Sequence, residues 1–199
     1  MYKYSNNLKN FIILIILIIL FVIFKTKKLE FFSKYESSNN DQEYLVQDFK
    51  DSKTVANTFS KIENKINKFV NILINKYPND QRIIRLKNNL KNIKYEESPF
   101  NDNTSSFTIN KGELMSICIR HKKDRTKFHD MNTLMFVIIH ELAHVMSVSI
   151  GHGEEFMKNF RFLLKESKKA HIYNPIDYSE KNMNYCGVDV THNPYFNHI

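Results

Sequence analysis

Asn132-Thr133-Leu134-Met135-Phe136-Val137-Ile138-Ile139-His140-Glu141-Leu142-Ala143-His144, followed by Gly151-His152-Gly153-Glu154-Glu155-Phe156, is the stretch from which the fold of this 199-residue chain can be read. His140, Glu141 and His144 form an H-E-x-x-H pattern. Histidines four residues apart on a helix lie one above the other on a single face, where two imidazole nitrogens can grip one zinc ion. Glu141, one step along, flanks that ion, and its carboxylate can take a proton from zinc-activated water. The residues around the pattern are apolar nearly all round, as in a helix buried inside a protein. Two imidazoles and a carboxylate are costly there without partners, and a metal supplies them.

A catalytic zinc usually takes a third protein ligand and leaves one position open. His152 fits, because a glycine-permitted turn after the helix can swing it back to the metal. Glu154, Glu155 and Glu166 are the alternatives, although Glu154 and Glu155 suit the first turn of a following helix, where the macrodipole favours acids. Ser147 and Ile150 occupy the positions where a metzincin pattern has Gly and His. A bare H-E-x-x-H also arises by chance. The apolar setting, the nearby third His and the amphipathic helix from Glu154 to about Ala170 argue for a metal. Closed structural zinc sites favour paired cysteines, and no C-x-x-C is present.

The two quoted segments resemble the zincin core of the WLM and SprT-like (minigluzincin-type) metallopeptidases, and are similar to zinc metalloproteinases encoded by large DNA viruses. A preceding hairpin at Ser106–Arg120 and the later Tyr185-Cys186-Gly187 belong to the same likeness, which spans roughly Phe107 to Thr191. The resemblance implies Zn²⁺ held by His140, His144 and His152, with Glu141 as general base for peptide hydrolysis. Some cellular members of the group cleave proteins crosslinked to DNA. Accessory motifs for that substrate are not evident, so it does not carry over.

Outward from this core, Ser52 begins a helical stripe (Val55, Phe59, Ile62, Ile66, Phe69, Val70, Leu73) that Pro78 stops. Asp80 can cap a shorter helix carrying Ile83, Leu86 and Leu90. Glu96–Ser105 is expected as a loop. Ser106–Asn110 and Glu113–Arg120 alternate as strands around Asn110-Lys111-Gly112. The strand just before the zinc helix is expected to border the cleft and offer a free edge to an extended substrate. His121 and His129 fall in a charged turn and are set aside as ligands, while Asp130 or Asn132 can cap the zinc helix. Tyr185 could donate to the oxyanion of a tetrahedral intermediate; aromatic packing under the site is the alternative. Cys186 reads as a buried hydrophobe.

Phe11–Phe24 is an unbroken apolar run, FIILIILIILFVIF, with lysines at both ends and no small-x-small cleavage site after it. Snorkelling lysines can extend its span, so residues 1–28 are expected to be an uncleaved N-terminal membrane anchor, embedded through residues 8–28. The lysine balance leans slightly toward a cytoplasmic C-terminal part. Residues 29–51, polar and weakly patterned, are expected as a linker, and 52–199 as the α+β zincin-like domain. Half of the net charge of +8 sits in the first 40 residues, and the mild excess left on the rest reads as a solvated face rather than a nucleic-acid footprint, with no recognised binding motif beside it. Cys118 and Cys186 make no disulfide framework. A reducing compartment is the default expectation, and a single disulfide stays open. The sequence thus points to a membrane-anchored zinc metallopeptidase with a protein or peptide substrate, or else to a tethered, catalytically idle zinc module.

Overall fold

A computed structural model describes residues 2–29, 32–99 and 105–196, with the side chains of the first helix described at residues 8–21. The chain runs α1 (Tyr2–Leu29), β1 (Phe32–Glu36), β2 (Glu43–Gln47), α2 (Ser52–Lys76), α3 (Gln81–Leu90), β3 (Lys94–Glu97), β4 (Phe107–Ile109), β5 (Leu114–Ile117), α4 (Met131–Met146), α5 (Glu154–Lys169), β6 (Met183–Tyr185) and β7 (Val188–Val190). This is the expected α+β class. Five strands form one sheet in the order β1-β2-β3-β5-β4, with β2-β3 and β3-β5 parallel and both outer pairs antiparallel. β6 and β7 form a separate hairpin.

Residues 29–51 are not a bare linker, because β1 and β2 open the sheet there. Tyr44 and Val46 of β2 are buried beneath α2, whose Val55, Phe59, Ile62 and Ile66 fill the same core. The strands escaped the sequence pattern because each is only five residues long, with Lys or Gln and Glu breaking the apolar alternation. β3 was likewise hidden, its polar sequence Lys94-Tyr95-Glu96-Glu97 running into the expected loop. Glu97 is fully buried on it, with Arg120 Nε at 2.9 Å and the Gln47 amide donating to its second oxygen at 2.8 Å. A paired charge inside a sheet looks like a surface charge in sequence.

The hairpin before the zinc helix is β4–β5, and its turn holds Asn110, Lys111 and Gly112 at φ 48°, 58° and 122°. A Cβ on Gly112 would lie 2.8 Å from the Asn89 carbonyl oxygen, so the turn packs closely on α3. The free edge facing the cleft is β4. β5, the strand directly before α4 and the one expected at the edge, is paired on both sides.

In α1 the apolar side chains from Phe11 to Phe21 are exposed. Among the described residues no helix is long and apolar enough to cross a membrane, so a helix stands where the anchor was expected but no span is identified. The side chains of Lys3, Lys25, Lys27 and Lys28, expected to flank that span, and loop residues Asn101–Asn103 lie outside the described set.

Candidate functional site

α4 starts where Asp130 accepts from the Thr133 amide at 3.0 Å, and it is buried along nearly its whole length. Its C-terminal end has no glycine cap. Side chains satisfy its last carbonyls instead: Ser147 Oγ donates to Ala143 O, Lys111 Nζ to His144 O, Asn89 Nδ2 to Val145 O, and Arg85 Nη1 to Met146 O. Two of those donors are cationic, matching the negative end of the helix dipole. Past the helix, Glu155 accepts from the amides of Val148 and Ser149 at 2.9 and 2.8 Å, and these donors hold its carboxyl down at about 2. Gly151, at φ +81°, then turns the chain back.

The turn delivers His152 to the two helix histidines. The Nε2 atoms of His140, His144 and His152 are 3.2, 3.1 and 3.0 Å apart. Nitrogens on a tetrahedral ion with bonds of about 2.0–2.1 Å stand about 3.3 Å apart, so these residues fit a shared divalent ion. Phe156, buried, packs against all three rings at centroid distances of 4.3–4.8 Å and fixes their tilt from behind. Burial, then the neighbouring imidazoles, pushes His140 down to about 3. Burial, then His152 and Lys111, takes His144 to about 4. Both rings are therefore neutral and ready to ligate at ordinary pH.

Glu141 is 4% exposed, and burial raises its carboxyl to about 7 against the opposing pull of a hydrogen bond from Thr108 Oγ1 at 2.9 Å. Thr108 lies on the cleft edge β4, and nothing in the sequence singles it out. The histidines and Glu141 face a cavity of about 910 Å³ walled by β4, by α4 and α5, and by Tyr185, Val188 and Val190 of the β6–β7 hairpin. Such a volume is far more than a single ion fills.

The alternative acidic ligands are engaged elsewhere. Glu166 pairs with Lys76 and Lys169, and Glu154 with Lys158. Tyr185 lines the cavity but is fully buried, its hydroxyl donating to Cys118 O at 2.9 Å and lying 2.7 Å from Ser106 Oγ. Those contacts match the packing alternative better than a free oxyanion donor. Cys186 is buried as expected and bonded to Cys118, the single disulfide that the sequence left open beside a reducing default. His129, set aside as a metal ligand because it falls in a charged turn, is 7% exposed and lies 3.4 Å from Cys186 Sγ. His192 borders the cavity, and His198 lies outside the described residues.

A helix-borne His-Glu-x-x-His pair, completed by a third histidine beyond the helix and opening on an edge strand, is a metallopeptidase-type site on an α+β scaffold. The chain belongs to the WLM domain family, which matches residues 53–195. Its relatives include large-DNA-virus proteins. Uncharacterized protein R325 of Acanthamoeba polyphaga mimivirus is 34% identical over 168 residues, covering 82% of this chain and 84% of that protein. Uncharacterized protein 136R of Invertebrate iridescent virus 6 is 36% identical over 101 residues, 50% of this chain and 52% of its own length. The crystal structure of Wss1 from Saccharomyces cerevisiae aligns with 43% of this chain and 67% of its own at a TM-score of 0.38 and 20% identity.

Proposed function

We propose that this protein is a zinc-dependent metallopeptidase with His140, His144 and His152 as metal ligands and Glu141 as general base. The observation that carries the reading is the closure of three Nε2 atoms to 3.0–3.2 Å beside a buried carboxylate in a cleft. A divalent ion held there supplies Lewis-acid polarisation of the scissile carbonyl and acidifies water. The chain's own residues do the rest. The free edge of β4 pairs with an extended peptide and lays it along the cleft. Glu141, with one oxygen held by Thr108, receives the proton of the attacking water and passes it to the leaving amine nitrogen. Its raised carboxyl suits both halves of that transfer, since proton affinity near neutrality serves base and acid alike. Phe156 and the β6–β7 hairpin shield the reacting atoms from bulk water.

The test is metal content together with cleavage of an unfolded protein, wild type beside Glu141→Gln. With the Cys118–Cys186 disulfide intact, one zinc equivalent in both, with cleavage by wild type alone and a loss of at least ~10²-fold in the variant, is expected. Zinc in both without cleavage would leave a binding module, and undiminished cleavage by Glu141→Gln would remove the base.

We also infer that α1 attaches the protein to a lipid bilayer, since its exposed stripe from Phe11 to Phe21 has an apolar surface that water penalises. Full-length protein should float with liposomes while residues 29–199 stay with the aqueous fraction. Equal partitioning of the two would rule the attachment out.

A further inference from the structure

Among the described residues, two clusters of side chains could hold a metal ion, and only one is the histidine triad. The other is Cys118, His129 and Cys186, all buried, with ligand atoms within 4.8 Å of one another. Cys118 follows β5, His129 ends the loop before α4, and Cys186 sits in the β6–β7 turn at φ +50°. The cluster therefore gathers the sheet, the zinc helix and the hairpin that walls the cleft.

We propose that Cys118, His129 and Cys186 form a second metal site, of mixed thiolate and imidazole character and suited to Zn²⁺, which is available when the Cys118–Cys186 disulfide is reduced. A dithiol reductant opens the bond. It delivers two electrons and two protons, giving two thiols, and is itself oxidised to a disulfide. Zn²⁺ then displaces both thiol protons. The spacing fits with little movement. His129 Nε2 is 3.4 Å from Cys186 Sγ, close to the about 3.5 Å between N and S ligands on a tetrahedral zinc. The Cα atoms of the cysteines are 6.4 Å apart, so the sulfurs can separate by rotation about χ1 without moving the strands. Thiolate ligands match the borderline-soft character of zinc, and all three side chains are buried.

The consequence reaches the cleft through the β6–β7 hairpin. Tyr185 precedes Cys186, its ring lies 4.7 Å from His129, and its hydroxyl donates to Cys118 O. In either state, disulfide or metal-bound, the cluster pins the hairpin that carries Tyr185, Val188 and Val190 to the cavity wall. Reduced and metal-free, the hairpin loses that pin.

Cobalt titration of the full-length protein in detergent tests the site independently of peptidase activity. Thiolate-to-cobalt charge transfer gives a near-ultraviolet band that an all-histidine site cannot produce. Fully reduced wild type should show the band and bind two zinc equivalents, while the oxidised protein shows no band and binds one. His152→Ala should keep the band, Cys186→Ser should lose it, and His129→Gln should weaken cobalt binding at this site at least ~10-fold. Two titratable thiols without the band would overturn the site. So would a disulfide that resists reductant in the folded protein, or unchanged cobalt affinity in His129→Gln. Loss of triad zinc with the band intact would instead count against the peptidase reading alone.

Discussion

Thr108 is the residue that ties the substrate edge to the chemistry. Its hydroxyl donates to Glu141 Oε2 at 2.9 Å, and that bond favours the ionised carboxylate against the burial that drives it up to about 7. Thr108→Val keeps shape and removes the donor. With the donor gone, the carboxyl rises further, so a greater share of Glu141 is protonated at any given pH below neutrality. The acid limb of kcat/KM should therefore move to higher pH, by roughly half to one unit for a hydrogen bond worth about 1 kcal/mol. A pH profile of the variant beside wild type reads this directly, and an unmoved limb would separate Thr108 from the titration of the base. His140, Glu141 and His144 were legible because their chemistry follows from spacing on one helix, and His152 because glycines beside it permit the turn back. Thr108 was not, because its meaning comes from a strand 33 positions earlier folding across that helix.

At the scale of elements, the loop between α4 and α5 decides whether His152 reaches the metal. Glu155, in the first turn of α5, accepts the amides of Val148 and Ser149 and so locks the loop that precedes its own helix. The sequence suggested a macrodipole role for Glu155, and the structure adds this backward grip. Glu155→Ala frees two amide donors and leaves Gly151 to wander in the conformations open to glycine. His152 then spends less time beside its partners. Loss of support around a metal ligand typically costs 10–100-fold in metal affinity, so zinc binding should weaken by at least about 10-fold. A competition titration with a chromophoric chelator measures it. Unchanged affinity would mean that Phe156 and the C-terminal contacts of α4 hold His152 by themselves. The α4–α5 helix pair was readable from apolar periodicity and the glycine turn. The side chains closing the end of α4 were not, because Arg85 and Asn89 arrive from α3 across a distance no local pattern encodes.

Across the whole molecule, the misread segment is the one before residue 52, and it has a physical consequence. Reading 29–51 as a linker places the start of the folded unit at α2. In the structure β1 pairs with β2 along five residues, Tyr35 donates to Asp48 at 2.6 Å, and the Ser37–Ser38 turn bonds Asn57 of α2. Short strands carry little hydrophobic signal, so their membership of the sheet comes from α2, which follows directly, and from β3, which lies far along the chain. Two truncations separate the readings. A chain starting at residue 29 keeps β1, whereas one starting at residue 41 loses it and bares the edge of β2. If 29–51 were a linker, the two would melt together. Because β1 covers β2, the shorter chain should lose about 2 kcal/mol, which for a domain of this size lowers the melting temperature by roughly 4–8 °C. It should also aggregate more readily, since an unpaired edge strand invites pairing between copies. Thermal unfolding followed by circular dichroism, with light scattering on the same samples, measures both effects. Coincident melting curves would return residues 29–40 to the role of a tether.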